Sequence, residues 1–194
     1  MAREAATLLY SGLEKEYKQA KLKAAANVGV HVLPSNLEVA LELDRVAQEI
    51  EGSARTERLV HMRTEALAIM KVLTAYHPVL IGSVWRGTIR RGSDIDIETY
   101  YDEPEEVIAV LKAAGFKIQK TEQTTTTEHG RTVASLHVYG ESAGENKFEV
   151  VVRPGEAAWK TRKCDTFGDE IKGLTLGQLE KVLKDSSAAQ FLPT

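Results

Sequence analysis

The sequence predicts an α+β fold: a mixed or antiparallel β-sheet with helices packed on one side, preceded by a helical N-terminal region. Three observations lead there. Apolar residues recur at helical spacing through the first 76 residues; from Val79 the chain changes to short apolar runs broken by glycine; and a helix-forming stretch then interrupts the β-rich runs. The expected division is a helical region over 1–76, a core over 77–155, and a helical tail over 156–194 packed on that core.

The run from about Arg3 to Ala26 is rich in Ala, Leu, Glu and Lys, with Leu9, Leu13, Tyr17 and Ala20 near one face, and reads as one helix. After Gly29 and Pro34, Ser35 and Glu38 stand three residues apart as a capping box. Val39, Leu43, Val46 and Ile50 follow at helical spacing, and Gly52 is the natural stop. A third helix starts after Ser53 and turns Leu59, Met62, Ala66, Ile69 and Leu73 inward until His77-Pro78 ends it. VLIG and DIDIETYY then read as strands. A helix is expected from Pro104 to Ala114, because proline suits a first turn, glutamates favour an N-terminus and Gly115 closes it. FKIQKTEQTTTT and RTVASLHVY, separated by EHG, and then KFEVVVRP, complete the β-rich part; beyond Glu156 the tail is expected to be helical, most clearly in LTLGQLEKVLKD.

With 25 Lys and Arg against 28 Asp and Glu, no global field draws the protein to a polyanion, so any nucleic-acid contact needs a local basic patch. The single cysteine, Cys164, cannot form an intramolecular disulfide and fits no metal-ligand spacing, which makes the cytoplasm the expected compartment. No apolar run is long enough for a signal peptide or a membrane span.

The stretch Leu80 to Glu98, LIGSVWRGTIRRGSDIDIE, carries the chemistry. On a strand, Asp94 and Asp96 project from one face while Ile95 and Ile97 project from the other. Two neighbouring anions repel, and a divalent cation between them relieves the repulsion; carboxylate oxygens suit Mg²⁺, which usually takes one or two protein carboxylates together with substrate phosphates. Upstream, Gly82 permits close backbone approach and Ser83 adds a hydroxyl donor, while Arg86, Arg90 and Arg91 bring guanidinium groups that match phosphate oxygens. A D-x-D pair, a Gly-Ser turn or paired arginines each occur alone on ordinary surfaces; their conjunction in this order points to a triphosphate held between backbone, arginine and metal.

The stretch resembles the signature of the nucleotidyltransferase superfamily typified by DNA polymerase beta, in which a hydrophobic residue and Gly-Ser precede D-h-D-h. Ile81, Gly82, Ser83, Asp94, Ile95, Asp96 and Ile97 match, and Arg86, Gly87 and Ser93 match the smaller archaeal and bacterial members. The resemblance covers Val79 to Tyr100, extends loosely to Arg153, and leaves the preceding helices outside. It implies a nucleotidyltransferase-like core and a third carboxylate on a neighbouring strand. Glu149 in KFEVVV is the first candidate, since Phe148 and Val150 take the opposite face; Glu98 and Asp165 are rivals, and the family more often carries aspartate there.

The resemblance also implies an activity: metal-dependent transfer of a nucleoside monophosphate from a nucleoside triphosphate, ATP among the possibilities, to an acceptor hydroxyl. Asp94, Asp96 and Glu149 would serve as catalytic and metal-binding groups for two Mg²⁺ ions, or Mn²⁺ in their place. Gly82, Ser83, Arg86, Arg91 and Ser93 would bind the phosphates. The acceptor is open between RNA and protein, and the N-terminal helices offer a surface for a homo-oligomer. The alternative is a weak or inactive nucleotide-binding or partner-binding module of the same fold, including the small member of a toxin-antitoxin-like pair. His61, His77, His129 and His137 share no spacing and read as turn, surface or strand residues rather than ligands. Trp85 either stacks on a base or packs beneath the loop, and Arg153, Lys160, Arg162 and Lys163 form a basic cluster that either meets a polyanion such as tRNA or is solvated.

Overall fold

The computed structural model describes residues 1–29, 31–128 and 131–193, with the side chains of 126–128, 131–133 and 159 also left aside. Its described elements are seven helices, α1 (Ala2–Tyr10), α2 (Tyr17–Val28), α3 (Asn36–Glu51), α4 (Ser53–Val72), α5 (Gly82–Arg86), α6 (Pro104–Ala113) and α7 (Leu176–Asp185), and six strands. The strands are β1 (Val79–Ile81), β2 (Ile95–Tyr100), β3 (Lys117–Glu128), β4 (Arg131–Glu141), β5 (Lys147–Arg153) and β6 (Leu174–Thr175). They form one mixed sheet in the order β3-β4-β5-β2-β1-β6, in which β2 and β5 are parallel and the other pairs antiparallel. No helix of the described residues is long and apolar enough to cross a membrane.

The sheet has an apolar and a polar face because its strands alternate. Leu80, Ile97, Val150 and Val138 share one row of the register and are all fully buried. Ile95 and Phe148 lie one row on, and Leu59, Met62, Ile69 and Leu73 of α4, Val107 and Leu111 of α6, and Leu179 of α7 cover this side. Helices therefore pack on one face, and burial of these side chains, at roughly 1.5–3 kcal/mol each, supplies the main drive for the core. The other face carries Asp96, Glu98, Glu149, Arg153, His137 and Tyr139.

The first 52 residues hold a second apolar cluster, in which Ala5, Leu8, Leu9, Ala20, Ala24, Val39 and Val46 bring α1, α2 and α3 together. The helical stretch expected over 1–76 thus contributes to two cores, α1–α3 to their own and α4 to the sheet. Ser35 and Glu38 form the expected capping box on α3, with the Ser35 hydroxyl accepting from the Glu38 N–H at 3.1 Å.

Three local expectations are corrected. The single helix expected from Arg3 to Ala26 is two, because Gly12 at φ +73° turns the chain and lets α1 and α2 pack against one another. Leu13, expected near one face of that helix with Leu9, lies in the turn at 66% exposure, and Ile50 at the end of α3 is 55% exposed. The tail is not wholly helical: Leu174 and Thr175 form β6 on the free edge of β1 before Thr175 caps α7. His129 and Gly130 of the expected EHG separator lie outside the described residues.

Arg63 binds the C-terminal segment to the core. Its guanidinium is fully buried and donates to the carbonyls of Val84, Trp85, Ser187 and Ala189 at 2.7–3.1 Å. No carboxylate among the described residues pairs with it, and burial pulls its pKa down to about 10.

Candidate active site

The polar face of the sheet assembles its carboxylates by register. Ile81 of β1, Asp96 of β2 and Glu149 of β5 form one row across three strands. Since directly paired residues project to the same side, Asp96 and Glu149 lie side by side although 52 residues separate them in the chain. Asp94 stands just before β2, exposed, where burial of part of the carboxyl pushes its pKa up, Lys147 opposes the rise and Glu149 adds to it.

Asp96 is the most stressed of the group. Its carboxyl is raised from 3.8 to about 7, first by burial and then by Glu149, Asp94 and Glu98. Gly82 creates the space it occupies. At φ +69°, immediately after β1, a β-carbon on residue 82 would stand 2.0 Å from the Asp96 Oδ2. Only glycine satisfies both the backbone angle and the close approach.

Glu149 is held by a residue that sequence spacing did not reveal. His137 Nδ1 lies 2.5 Å from Glu149 Oε1, and its Nε2 lies 2.9 Å from the Thr124 hydroxyl. An ionised carboxylate only accepts, so Nδ1 carries the hydrogen toward Glu149. The available signal was positional: Val138 and Val150 face the core, which turns His137, Tyr139 and Glu149 to the other side.

Glu98, two residues beyond Asp96, is committed elsewhere. It is 2% exposed, bonded to Arg153 Nε at 3.0 Å, to Arg162, and to the Tyr100 hydroxyl at 3.1 Å. The same contacts occupy two members of the basic cluster noted in the sequence. Asp165 is exposed on the loop after β5, where its carbonyl accepts from Asn36 at 3.1 Å.

The arginines divide unexpectedly. Arg86, expected at the phosphates, has its guanidinium stacked between Trp85 and Phe167 at 4.4 and 4.2 Å and bidentate to Asp169 at 2.6 and 3.1 Å. It reaches the rim of the site with its charge already matched. Trp85 itself is buried beneath the turn. Arg91 is exposed and uses its N–H to bond Glu51 at 3.0 Å. Arg90 joins Arg86, Gly82, Ser83 and Ser93 in lining a cleft of about 290 Å³, and Arg91 does not. The Ser93 hydroxyl accepts the Arg90 N–H at 2.9 Å and fixes that turn.

The donor set suits a hard divalent cation. Asp94, Asp96 and Glu149 present carboxylate oxygens, and Asp96 carries the electrostatic stress that a cation would relieve. Among the described residues no three His, Cys, Asp or Glu side chains already converge as a metal site. Two protein carboxylates completed by phosphate oxygens and water is the coordination such a cation usually takes.

Residues 76–140 match the family model for the nucleotidyltransferase domain, a segment that includes Gly82, Ser83, Asp94, Asp96 and His137 but not Glu149. No curated protein matches the sequence. Among solved structures, one described as that of a cytoplasmic RNA terminal U-transferase is 15% identical with a TM-score of 0.34, over 56% of this chain and 34% of that chain. The matched part thus amounts to about a third of that protein's length.

Proposed function

We propose, with the nucleotidyltransferase domain of residues 76–140 as the premise, that the protein moves a nucleoside monophosphate from a nucleoside triphosphate to an acceptor hydroxyl and releases pyrophosphate. The observation that carries this reading is the row formed by Asp96 and Glu149, with the bare α-carbon of Gly82 against the Asp96 carboxylate. Asp94 and Asp96 would hold one Mg²⁺ or Mn²⁺ and Glu149 would share a second. Bound there, the metal supplies charge neutralisation to the phosphates and acidity to the acceptor hydroxyl.

The chain's own groups do the rest. Ser83 and Arg90 line a cleft with Gly82, the residue that abuts the Asp96 carboxylate, and a hydroxyl and a guanidinium there can donate to the departing pyrophosphate. His137 fixes the Glu149 carboxylate through its Nδ1 contact. Asp169 holds Arg86 bidentate, which locks α5 and so the Gly82–Ser83 turn before any nucleotide arrives. The acceptor hydroxyl attacks the α-phosphorus in line, its proton goes to solvent, and the bond to the β-phosphate oxygen breaks.

The test is release of pyrophosphate from each of the four ribonucleoside triphosphates with Mg²⁺ or Mn²⁺, alongside mass added to RNA and protein acceptors. The Asp94→Asn/Asp96→Asn double variant is expected to lose all metal-dependent release while remaining folded, and retained turnover would exclude this role for the pair. A second reading, nucleotide binding without transfer, draws support from Glu149 being engaged by His137. Calorimetric binding of nucleotide by the native protein without pyrophosphate release selects it.

A further inference from the structure

The cleft beside the Gly82–Ser83 turn has two walls from distant parts of the chain. Gly82, Ser83, Arg90 and Ser93 make one; Lys15 and Tyr17, at the junction of α1 and α2, stand on the other. Its volume of about 290 Å³ is at the lower end of the range for small-molecule sites.

Its charges are unevenly satisfied. Asp44 at the rim is paired with Arg55, and Arg86 with Asp169. Lys15 and Arg90 have no ion pair among the described residues, and Arg90 is half-buried. Arg90 also lies close enough to Tyr17, at the start of α2, to oppose the rise that burial imposes on that hydroxyl. The exposed Lys15 and the half-buried Arg90 line one cleft with the Ser83 hydroxyl, a donor set that suits a polyanion.

The helices also hold the loop that carries Arg90. Arg55 of α4 donates to the Ile89 carbonyl at 2.7 Å, and Glu51 of α3 accepts from the Arg91 N–H at 3.0 Å. Arg90 is thus fixed on both sides by contacts from a region outside the family match. On the far side, Asn36 at the start of α3 holds the Asp165 carbonyl.

We propose that the N-terminal helices form the second wall of the nucleotide site, with Lys15 gripping the polyphosphate from the side opposite Arg90. This rests on the nucleotidyltransferase reading of the same site. The helices are then part of substrate recognition, and Lys15 and Arg90 read phosphate charge irrespective of the base.

Calorimetry on the full chain with Mg²⁺ tests it, using α,β-methylene-ATP, which cannot be cleaved at the reacting bond, and inorganic tripolyphosphate. Lys15→Gln and Arg90→Gln are each expected to weaken both probes by on the order of tenfold, the usual worth of one charge-assisted hydrogen bond. Lys18→Gln, an exposed lysine of α2 away from the cleft, is expected to change neither. Lys15 is exposed, so its variant retains the melting temperature of the native protein. Unchanged affinity in Lys15→Gln, with normal binding by the native chain, overturns the role of the helices and leaves the transfer reading standing. Weakening of the ATP analogue alone overturns the phosphate assignment. Failure of the native chain to bind either probe overturns both readings.

Discussion

Replacing Asp96 with asparagine is expected to stabilise the metal-free protein above neutral pH. The Asp96 carboxyl is raised from 3.8 to about 7 in the folded state. Below about pH 4 it is protonated in both folded and unfolded chains, and the group contributes nothing. As pH climbs through the window from 3.8 to about 7, the unfolded chain ionises first and gains, so folded stability falls. Above pH 7 the penalty is complete. At about 1.4 kcal/mol per tenfold change in acidity the ceiling is about 4 kcal/mol, and screening through the open side of this half-buried group brings the expectation to about 2 kcal/mol. The Asp96→Asn variant keeps the shape and escapes the penalty. Its melting temperature in EDTA should exceed that of the native protein by roughly 4–8 °C at pH 8, converge with it near pH 4, and respond less to added Mg²⁺. A variant equally or less stable at pH 8, or a difference independent of pH, would refute the claim that burial, reinforced by the neighbouring carboxylates, penalises an ionised Asp96.

Two other outcomes are expected. His137→Ala should reduce kcat by roughly 10–100-fold and weaken Mn²⁺ binding, measured by electron paramagnetic resonance, while His137→Gln, which can still donate to Glu149, restores part of both; equal loss in the two variants would deny the positioning role. Thr99→Val should raise stability by about 1 kcal/mol in urea unfolding, because the Thr99 hydroxyl is buried on the apolar face with no hydrogen-bond partner among the described residues.

Local chemistry made part of this structure legible. Alternation in DIDIE and KFEVVV separates core isoleucine and valine from acidic residues, and Ser35 with Glu38 announces the start of α3, because both signals act over a few residues. The break between α1 and α2 was hidden, since Gly12 sits in a stretch whose composition otherwise favours helix and tertiary packing of two short helices decides the outcome. β6 is two residues long and exists because β1 has an edge to pair. That Arg90 rather than Arg91 joins Arg86 at the cleft depends on Glu51 and Arg55 holding the loop, and the charge of Arg86 is met by Asp169, 83 residues away. His137 lacked any motif; its partner comes from strand register, a property of the assembled sheet.

The one parallel pairing among the described residues, β2 with β5, also governs when the acidic row can exist. Every residue of α6, β3 and β4 lies between its two members, so Asp96 meets Glu149 only after a detour of about fifty residues has closed, at an entropic cost that local hairpins avoid. Early in folding the two anions stay apart in water and the β3–β4 hairpin can zip without opposition. Their confrontation is deferred to the docking of β5, when valine and phenylalanine are sealed against the isoleucines of β2 and outweigh it.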